Sequence, residues 1–284
     1  MGAPSPDGAC DTHVHVFGPV SHYAYAPDRT YTPPDTPLAD LTAMHETLGI
    51  NRTVLIQPSP YGTDNTRLLD ALRELGGTAR GVAVIPPDAD SSHLDVLHEA
   101  GVRGCRINLN VRTSTDIDSA RERITASSQT IADHGWHLQL HAAHEVIAAL
   151  GDLLPSLPTP VVLDHFAGIK PRSAKAARAT DTVCQLLASG RIWVKLSAPY
   201  RVARDYVDLT QVLEALVAAG ADRLVWGSDW PHTGGTPNNR DPRRTQPFLD
   251  INDAKSLTDL TLLLGTAVTH QVLVGNPAHL YDFD

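Results

Sequence analysis

The stretch from Val102 to His141 reads VRGCRIN at residues 102–108 and SARERITASSQTIADHGWHLQLH at residues 119–141. Two short, largely apolar runs flank a segment with helical periodicity, Ser119–His134, and Gly135 marks the junction between the helix and the second run. A strand, a helix and a second strand in this order predict two parallel strands with the connecting helix packed outside them.

The same alternation of strand and helix continues in both directions along the chain. Further helical patterns cover Leu38–Leu48, Asn65–Leu75 and Tyr206–Ala219. The predicted strands are Asp11–Phe17, Thr53–Gln57, Gly81–Ile85, Val102–Asn108, His137–His141, Val161–His165, Ile192–Ser197 and Leu224–Gly227. Eight strands in 284 residues predict a closed parallel barrel, the (β/α)8 or TIM-barrel class, as one domain over residues 1–284. The alternative is a doubly wound open sheet, but no GxGxxG turn follows the first strand.

The composition limits the partners that the chain is expected to bind. Its formal net charge of −9 argues against a nucleic acid or an anionic membrane surface, which would need a basic face. A small anionic organic substrate stays compatible, because a local arginine cluster can bind one. Three scattered cysteines, no secretory pattern and no apolar run of about 18 residues predict a reduced, cytoplasmic protein. Whether it forms a homo-oligomer stays open.

Polar residues stand at the predicted carboxyl ends of the strands, where barrel enzymes carry their active sites. The first strand holds His13 and His15, which alternation puts on one face. The fifth strand ends in His141, the sixth in His165, and Asp229 follows the eighth. Any one of these residues could be a structural histidine or a loop cap, but their conjunction at one barrel mouth favours a catalytic site.

The sequence resembles the amidohydrolase superfamily and, within it, the 2-pyrone-4,6-dicarboxylate lactonase branch. The resemblance rests on the first-strand HxH and on the segments QPSPYGTDN, RGCRIN, HLQLH, LDHFAG, VKLSAPYR and LVWGSDWPH. It implies that Asp229 handles the proton of the hydrolytic water. It also implies that His13, His15 and His165 surround the scissile carbonyl.

Residues that would bind the substrate follow from the same resemblance. Arg106, Arg112 and Arg201 match arginines that hold substrate carboxylates, while Ser59 and Tyr31 match a serine and a tyrosine that contact the substrate.

The positions of these residues in the sequence support the substrate-binding roles to different degrees. Arg106 stands among apolar neighbours at a strand end, where burial of the guanidinium without an anion would be costly. A salt bridge to a protein carboxylate is its alternative. Arg112 and Arg201 lie on loops, where a solvated role is nearly as plausible. Ser59 and Tyr61, on the loop after the second strand, are both candidate substrate contacts, and the alternative for each is a turn residue.

His141 departs from the branch, which has a tyrosine at this position and works without metal. In metal-dependent relatives a histidine on the fifth strand completes a mononuclear site. His13, His15, His141 and Asp229 would form that set, and three imidazoles with one carboxylate suit one divalent metal, zinc above all. The alternative is a metal-free cluster held by hydrogen bonds.

The function predicted from these residues is hydrolysis of a carboxylate-bearing lactone by water that Asp229 activates. The alternatives are a sugar-acid lactone isomerase, a metal-dependent decarboxylase of an aromatic or muconate-type acid, and a barrel that has lost catalysis. The loops Gly18–Pro37 and Thr233–Thr245 are expected to cover the barrel mouth.

Overall fold

A computed structural model describes residues 5–110, 116–234 and 241–283. These residues form one eight-stranded sheet in which each strand pairs in parallel with the next along the chain. The strands are β1 (Cys10–Val14), β2 (Arg52–Ile56), β3 (Ala79–Ala83), β4 (Val102–Asn108), β5 (His137–His141), β6 (Val161–Leu163), β7 (Ile192–Ser197) and β8 (Leu224–Gly227).

The sheet curves until its last strand meets its first. Val14 forms a parallel bridge with Trp230, just beyond β8. The backbone N–H of His15 donates to the Trp230 carbonyl at 2.8 Å, and the N–H of Asp229 donates to the His13 carbonyl at 2.8 Å. The predicted (β/α)8 barrel is therefore confirmed, and the open doubly wound sheet is wrong.

Helices follow the strands and pack around the barrel. They are α1 (Leu38–Leu48), α2 (Thr66–Leu75), α3 (Ser91–Glu99), α4 (Ile117–Ile131), α5 (His144–Ala149), α6 (Ala176–Ala188), α7 (Thr210–Gly220), α8 (Asp253–His270) and α9 (Asn276–Tyr281). The helix predicted over Ser119–His134 begins two residues earlier, because Asp116 caps it by accepting the N–H of Asp118.

Alternation along each strand separates the helix-facing core from the barrel interior. In β5, Leu138 and Leu140 join the main hydrophobic core under the helices. In β7, Ile192, Val194 and Leu196 do the same. The intervening residues of these two strands, among them Gln139 and Lys195, therefore face the inside of the barrel.

Four strands, β1, β2, β3 and β6, end earlier than predicted, and the ends of β1 and β6 shape the site. β1 stops at Val14, and its pairing with β2 shifts register between Asp11 and Val14. β6 stops at Leu163, since the chain turns into a short 3-10 helix, His165–Gly168. His165 there has φ 51°, a left-handed conformation that ordinary residues rarely adopt.

By length and composition the run Asp253–Tyr281 could cross a membrane, since an 18-residue window within it has a mean hydropathy of 1.3. Gly265 interrupts it with φ 71° and ψ 167°, so the backbone is not one continuous helix. Leu257, Leu260 and Leu264 of α8 are buried in the core. This run is therefore weak evidence for a membrane span, and the absence of a membrane partner stays a prediction.

Candidate active site

A cavity of about 480 Å³ opens at the carboxyl ends of the strands. It is lined by most of the predicted site residues, namely His15, Tyr31, Ser59, Arg106, His141, His165, Arg201 and Asp229. His13 lies beneath this surface and is fully buried. Arg112 and part of the loop Thr233–Thr245 lie outside the described residues, so their predicted roles stay predictions.

The irregular end of β1 places His15 at the cavity surface and His13 directly beneath it. Asp11 accepts the N–H groups of Ser228 at 2.9 Å and of His13 at 3.2 Å, which ties the end of β1 to the start of the loop after β8. Gly227 permits this close approach, because a Cβ there would lie 2.5 Å from the Cβ of His13. The sequence GSD after β8 therefore brings Asp229 against the HxH pair.

Three side chains converge at this point. Asp229 Oδ1 lies 3.6 Å from His13 Nε2 and 3.7 Å from His15 Nε2. Asp229 Oδ1 and both ring nitrogens of His13 are buried and have no hydrogen-bond partner among the described residues. Buried polar atoms are rarely left in that state, so the arrangement is one that a bound group would complete.

The tautomer of His15 follows from its other nitrogen. Nδ1 lies 2.8 Å from the carbonyl oxygen of Ile56, which can only accept, so Nδ1 carries the proton. In the neutral ring, Nε2 then presents a lone pair toward Asp229 Oδ1. Histidines that ligate metals commonly use their second nitrogen in this way.

One carboxylate oxygen of Asp229 accepts hydrogen bonds, whereas the other has no partner among the described residues. Oδ2 accepts from the Tyr200 hydroxyl at 2.6 Å and from Arg201 Nε at 2.7 Å. Burial alone would raise the pKa of Asp229, but Arg201 and the neighbouring histidines outweigh it and hold the pKa well below the usual range. The carboxylate is therefore ionised at neutral pH, with Oδ1 directed to the histidines.

Three histidines near this carboxylate, His13, His141 and His165, are neutral. Burial lowers the pKa of His13 to about 4 against the opposing charge of Asp164. Burial, with a contribution from Arg106, lowers the pKa of His141 to about 3. Burial also lowers the pKa of His165 well below its ordinary value. Neutral imidazoles can ligate a metal or move a proton.

His165 and His141 lie next to each other along the cavity wall. Their ring centroids are 4.9 Å apart, and the ring of His165 lies 4.8 Å from that of His13. His165 Nδ1 is 2.9 Å from the hydroxyl of Ser197 at the end of β7, which orients the ring. His165 therefore connects the HxH pair with His141.

The donor set fits one cation. Ligand atoms of His13, His15 and Asp229 all lie within 4.8 Å of one another. Ligands about 2.1 Å from a tetrahedral zinc lie about 3.4 Å apart, close to the separations measured here. A second group, His13, Asp164 and His165, meets the same distance limit, but Asp164 is already engaged by Gln139 and Arg106. His141 belongs to neither group, so its role as a fourth ligand stays a prediction.

The two described arginines differ in their partners. Arg106 is buried in the cavity wall, where NH2 lies 3.4 Å from Asp164 Oδ2, and within the described part of the chain Nε has no hydrogen-bond partner. These long contacts leave its guanidinium able to bind an anion. Arg201 instead donates to Asp229 and to the Thr233 carbonyl. Its predicted role of holding a substrate carboxylate stays a prediction.

The three residues of the first two loops that were predicted to contact substrate also differ in their surroundings. Ser59 lines the cavity and accepts from Asn108 Nδ2 at 3.0 Å. Tyr31 also lines the cavity, and burial raises its pKa to about 12. Tyr61 is not among the lining residues, because its hydroxyl turns away and accepts the N–H of Gly18 at 2.8 Å. Tyr61 therefore supports the first loop.

Sequence reasoning missed several residues that organise the site. Tyr200 holds Asp229, Asp164 lies between His13 and Arg106, and Gln139 and Lys195 lie inside the barrel below them. The sequence carried a signal for Gln139 and Lys195, because each is a polar residue at an inward position of a largely apolar strand, HLQLH and IWVKLS.

Comparison with known proteins agrees with this geometry. The model of the family described as "Amidohydrolase" matches residues 10–283, nearly the whole chain. The chain belongs to the amidohydrolase family. It is therefore an enzyme of a hydrolase family, as the HxH pair and the late aspartate predicted.

Characterised relatives of this amidohydrolase are similar along nearly their whole length. A 4-sulfomuconolactone hydrolase of Hydrogenophaga intermedia is 32% identical over 97% of this chain and 89% of its own. A 2-pyrone-4,6-dicarboxylate hydrolase of Comamonas testosteroni is 33% identical over 97% and 90%. A Pseudomonas putida structure, named as a candidate 2-pyrone-4,6-dicarboxylic acid hydrolase, matches with TM-score 0.81 and 31% identity over 98% of each chain.

Proposed function

We propose that this amidohydrolase opens the ring of a lactone that carries at least one carboxylate or similar anionic group. The observation that carries the proposal is the free Oδ1 of ionised Asp229, placed beside His13 and His15 at a cavity that is also lined by the Arg106 guanidinium. The names of both curated relatives specify hydrolysis of a compound with a sulfo or dicarboxylate group. Such a substrate fits a cavity that combines a carboxylate base, Asp229, with a guanidinium that can bind an anion, Arg106.

The chemistry of the chain's own residues follows from their charges. Asp229 Oδ1 accepts a proton from the attacking water, while Tyr200 and Arg201 fix the carboxylate through Oδ2. The oxyanion that develops on the lactone carbonyl needs donors or positive charge. The ring-opening oxygen then takes up a proton, for which Asp229, protonated by the attacking water, and His165 in the cavity lining are the candidate donors.

A divalent metal fits the same residues. His13, His15 and Asp229 would hold it, with His141 as the predicted fourth ligand. When bound, zinc would lower the pKa of a water and polarise the carbonyl. The cavity side chains would still orient the substrate and carry its protons.

Arg106→Ala is expected to raise KM for a carboxylated lactone at least tenfold, because a charged hydrogen bond contributes about 1.5–3 kcal/mol. The measurement compares kcat and KM for a lactone acid and for its methyl ester, which lacks the negative charge. Arg103→Ala is the matched control, since Arg103 lies on the same strand but pairs with Asp282 instead of facing the cavity. An equal effect of Arg106→Ala on acid and ester would contradict carboxylate recognition.

Arg201→Gln is expected to shift the acidic limb of the kcat/KM profile to higher pH. Arg201 is the main group that lowers the pKa of Asp229, so its loss raises that pKa. The base acts only when ionised, so activity present above the pKa is lost as pH falls through it, and a higher pKa moves that loss upward. A raised KM with an unmoved acidic limb would instead assign Arg201 to the substrate alone.

A product screen separates this function from its rivals. Purified protein is incubated with a panel of lactone acids, and the products are identified by NMR and by carbon dioxide release. We expect a ring-opened acid with one oxygen from labelled water. A shifted lactone would indicate an isomerase, carbon dioxide a decarboxylase, and no turnover of any lactone would contradict the proposal.

A further inference from the structure

Asn108, at the end of β4, lines the active-site cavity and also a second cavity of about 490 Å³ beside it. Ser59 and Arg106 line both cavities as well. Alternation along β4 puts Arg106 and Asn108 on the inner face of the strand, because Cys105 and Ile107 join the core under the helices. The three polar side chains therefore lie where the two cavities adjoin.

Two contacts join this part of β4 to the loop after β2. Arg106 NH1 lies 3.4 Å from the carbonyl oxygen of Gln57, and Asn108 Nδ2 lies 3.0 Å from Ser59 Oγ. The residues of each segment are two positions apart, so the Ser59 hydroxyl lies on the same side of the cavity as the Arg106 guanidinium. An anion bound by Arg106 is therefore expected to meet Ser59 as well.

The orientation of the Asn108 amide follows from its backbone neighbour. The N–H of Asn110 lies 3.0 Å from Asn108 Oδ1, and a backbone N–H can only donate, so this atom is the amide oxygen. The opposite atom is then the NH2 nitrogen, which faces Ser59 Oγ and can only donate. Ser59 Oγ is therefore the acceptor in this contact.

The hydroxyl proton of Ser59 is left for another partner. A serine hydroxyl has one donor and two lone pairs, and the contact with Asn108 uses a lone pair. Within the described part of the chain, no acceptor takes the Ser59 O–H. An ionised carboxylate has acceptors only, so a substrate carboxylate beside Arg106 would take this proton.

We propose that Asn108 is a positioning residue that donates to Ser59 Oγ and thereby keeps the Ser59 proton available for an anionic group of the ligand. An acceptor at position 108 would take that proton itself, and Ser59 would then have no donor to offer the ligand. The inference rests on the proposed function for the nature of the ligand, an anionic ring compound, whereas its test needs no hydrolysis.

The test is the affinity for isophthalate, a ring dicarboxylate with no ester bond to hydrolyse, measured by NMR titration. Asn108→Asp keeps the shape of the side chain and still accepts the N–H of Asn110, but its carboxylate also accepts the Ser59 proton. We expect Ser59→Ala to weaken isophthalate binding about tenfold in the wild type, as for loss of a hydrogen bond to a charged group. In the Asn108→Asp background we expect Ser59→Ala to change the affinity less than about twofold.

A second variant covers the case in which the added charge of Asn108→Asp abolishes isophthalate binding. Asn108→Leu removes the donor without adding charge and leaves the Ser59 side chain to be ordered by the ligand. We expect it to weaken isophthalate binding about three- to tenfold, and Ser59→Ala to add less to that loss than it costs in the wild type.

Asn51→Asp is the matched control. Asn51 precedes β2 at the opposite end of the barrel, and its Oδ1 also accepts a backbone N–H, from Gly8 at 3.1 Å. An equal loss of affinity in Asn51→Asp would mean that net charge alone sets the affinity, and the proposal would be wrong.

Three further results would overturn the proposal. They are no saturable isophthalate binding to the wild type, an unchanged affinity in Ser59→Ala, and a full tenfold effect of Ser59→Ala in the Asn108 variants that bind isophthalate. If isophthalate binds as expected but no lactone is hydrolysed, the proposed function fails while the binding measurements still decide the role of Asn108.

Discussion

Asp229→Asn is expected to lower kcat for lactone hydrolysis by about 10³-fold or more, the upper part of the range for loss of a general base. Tyr200 and Arg201 donate to Oδ2, so the asparagine must turn its carbonyl oxygen toward them. Its NH2 group then replaces Oδ1 beside His13 and His15. The variant would keep the shape of the site but lose both the base and the carboxylate ligand. Single-turnover rates with a ring-opened product as readout measure the effect.

The control for this substitution is Asp222→Asn, an exposed carboxylate just before β8. Thermal melting of both variants shows whether the fold is retained. Asp229→Asn with kcat within about tenfold of the wild type would mean that another group activates the water, and the assignment of Asp229 would be wrong.

Zinc binding is the second large effect. We expect purified protein to bind about one equivalent of zinc and to lose activity when the metal is removed by chelation. His15→Ala should weaken zinc affinity on the order of 100-fold or more, because a direct ligand contributes more than the partners that orient it. Competition with a chromophoric chelator measures the affinity, and elemental analysis measures the stoichiometry.

His141→Ala distinguishes a three-residue site from the predicted four-residue one. His141 lies outside the group of mutually close ligand atoms, so we expect its loss to weaken zinc binding less than the loss of His15. His22→Ala, an exposed histidine on the first loop, is the control. Full activity of metal-free protein would contradict a metal requirement and leave Asp229 and the histidines as the complete machinery.

The pattern of strands and helices in the sequence was enough to predict the fold. Short apolar runs separated by helical periods predicted eight parallel strands, and the barrel has them within a few residues of the expected bounds. Those bounds follow from local preference and from burial, which act over a few residues. The sequence also predicted that His15, His141, His165 and Asp229 would reach one mouth, because carboxyl ends of parallel strands share one side.

Contacts that join distant parts of the chain could not be predicted. The hydroxyl of Tyr61, a predicted substrate contact, accepts the N–H of Gly18, 43 residues away. Arg201 lines the cavity as predicted but also pairs with Asp229, and its role toward a substrate stays a prediction. Neither partner can be read from local spacing, since the direction of a loop side chain depends on how neighbouring loops pack.

Strand alternation and chain direction were enough to predict the barrel and to assign the HxH pair and the aspartate after β8 to its inner mouth. The contacts between distant strands determine which oxygen of Asp229 is free, which carboxylate lies beside the ring of His13 and which carbonyl orients the ring of His15. Lys195 also acquires its neighbours only when β7 meets β1 and β5 across the barrel. A buried polar group is unfavourable without a hydrogen-bond partner, and closure of the barrel determines which partners lie within reach of each group.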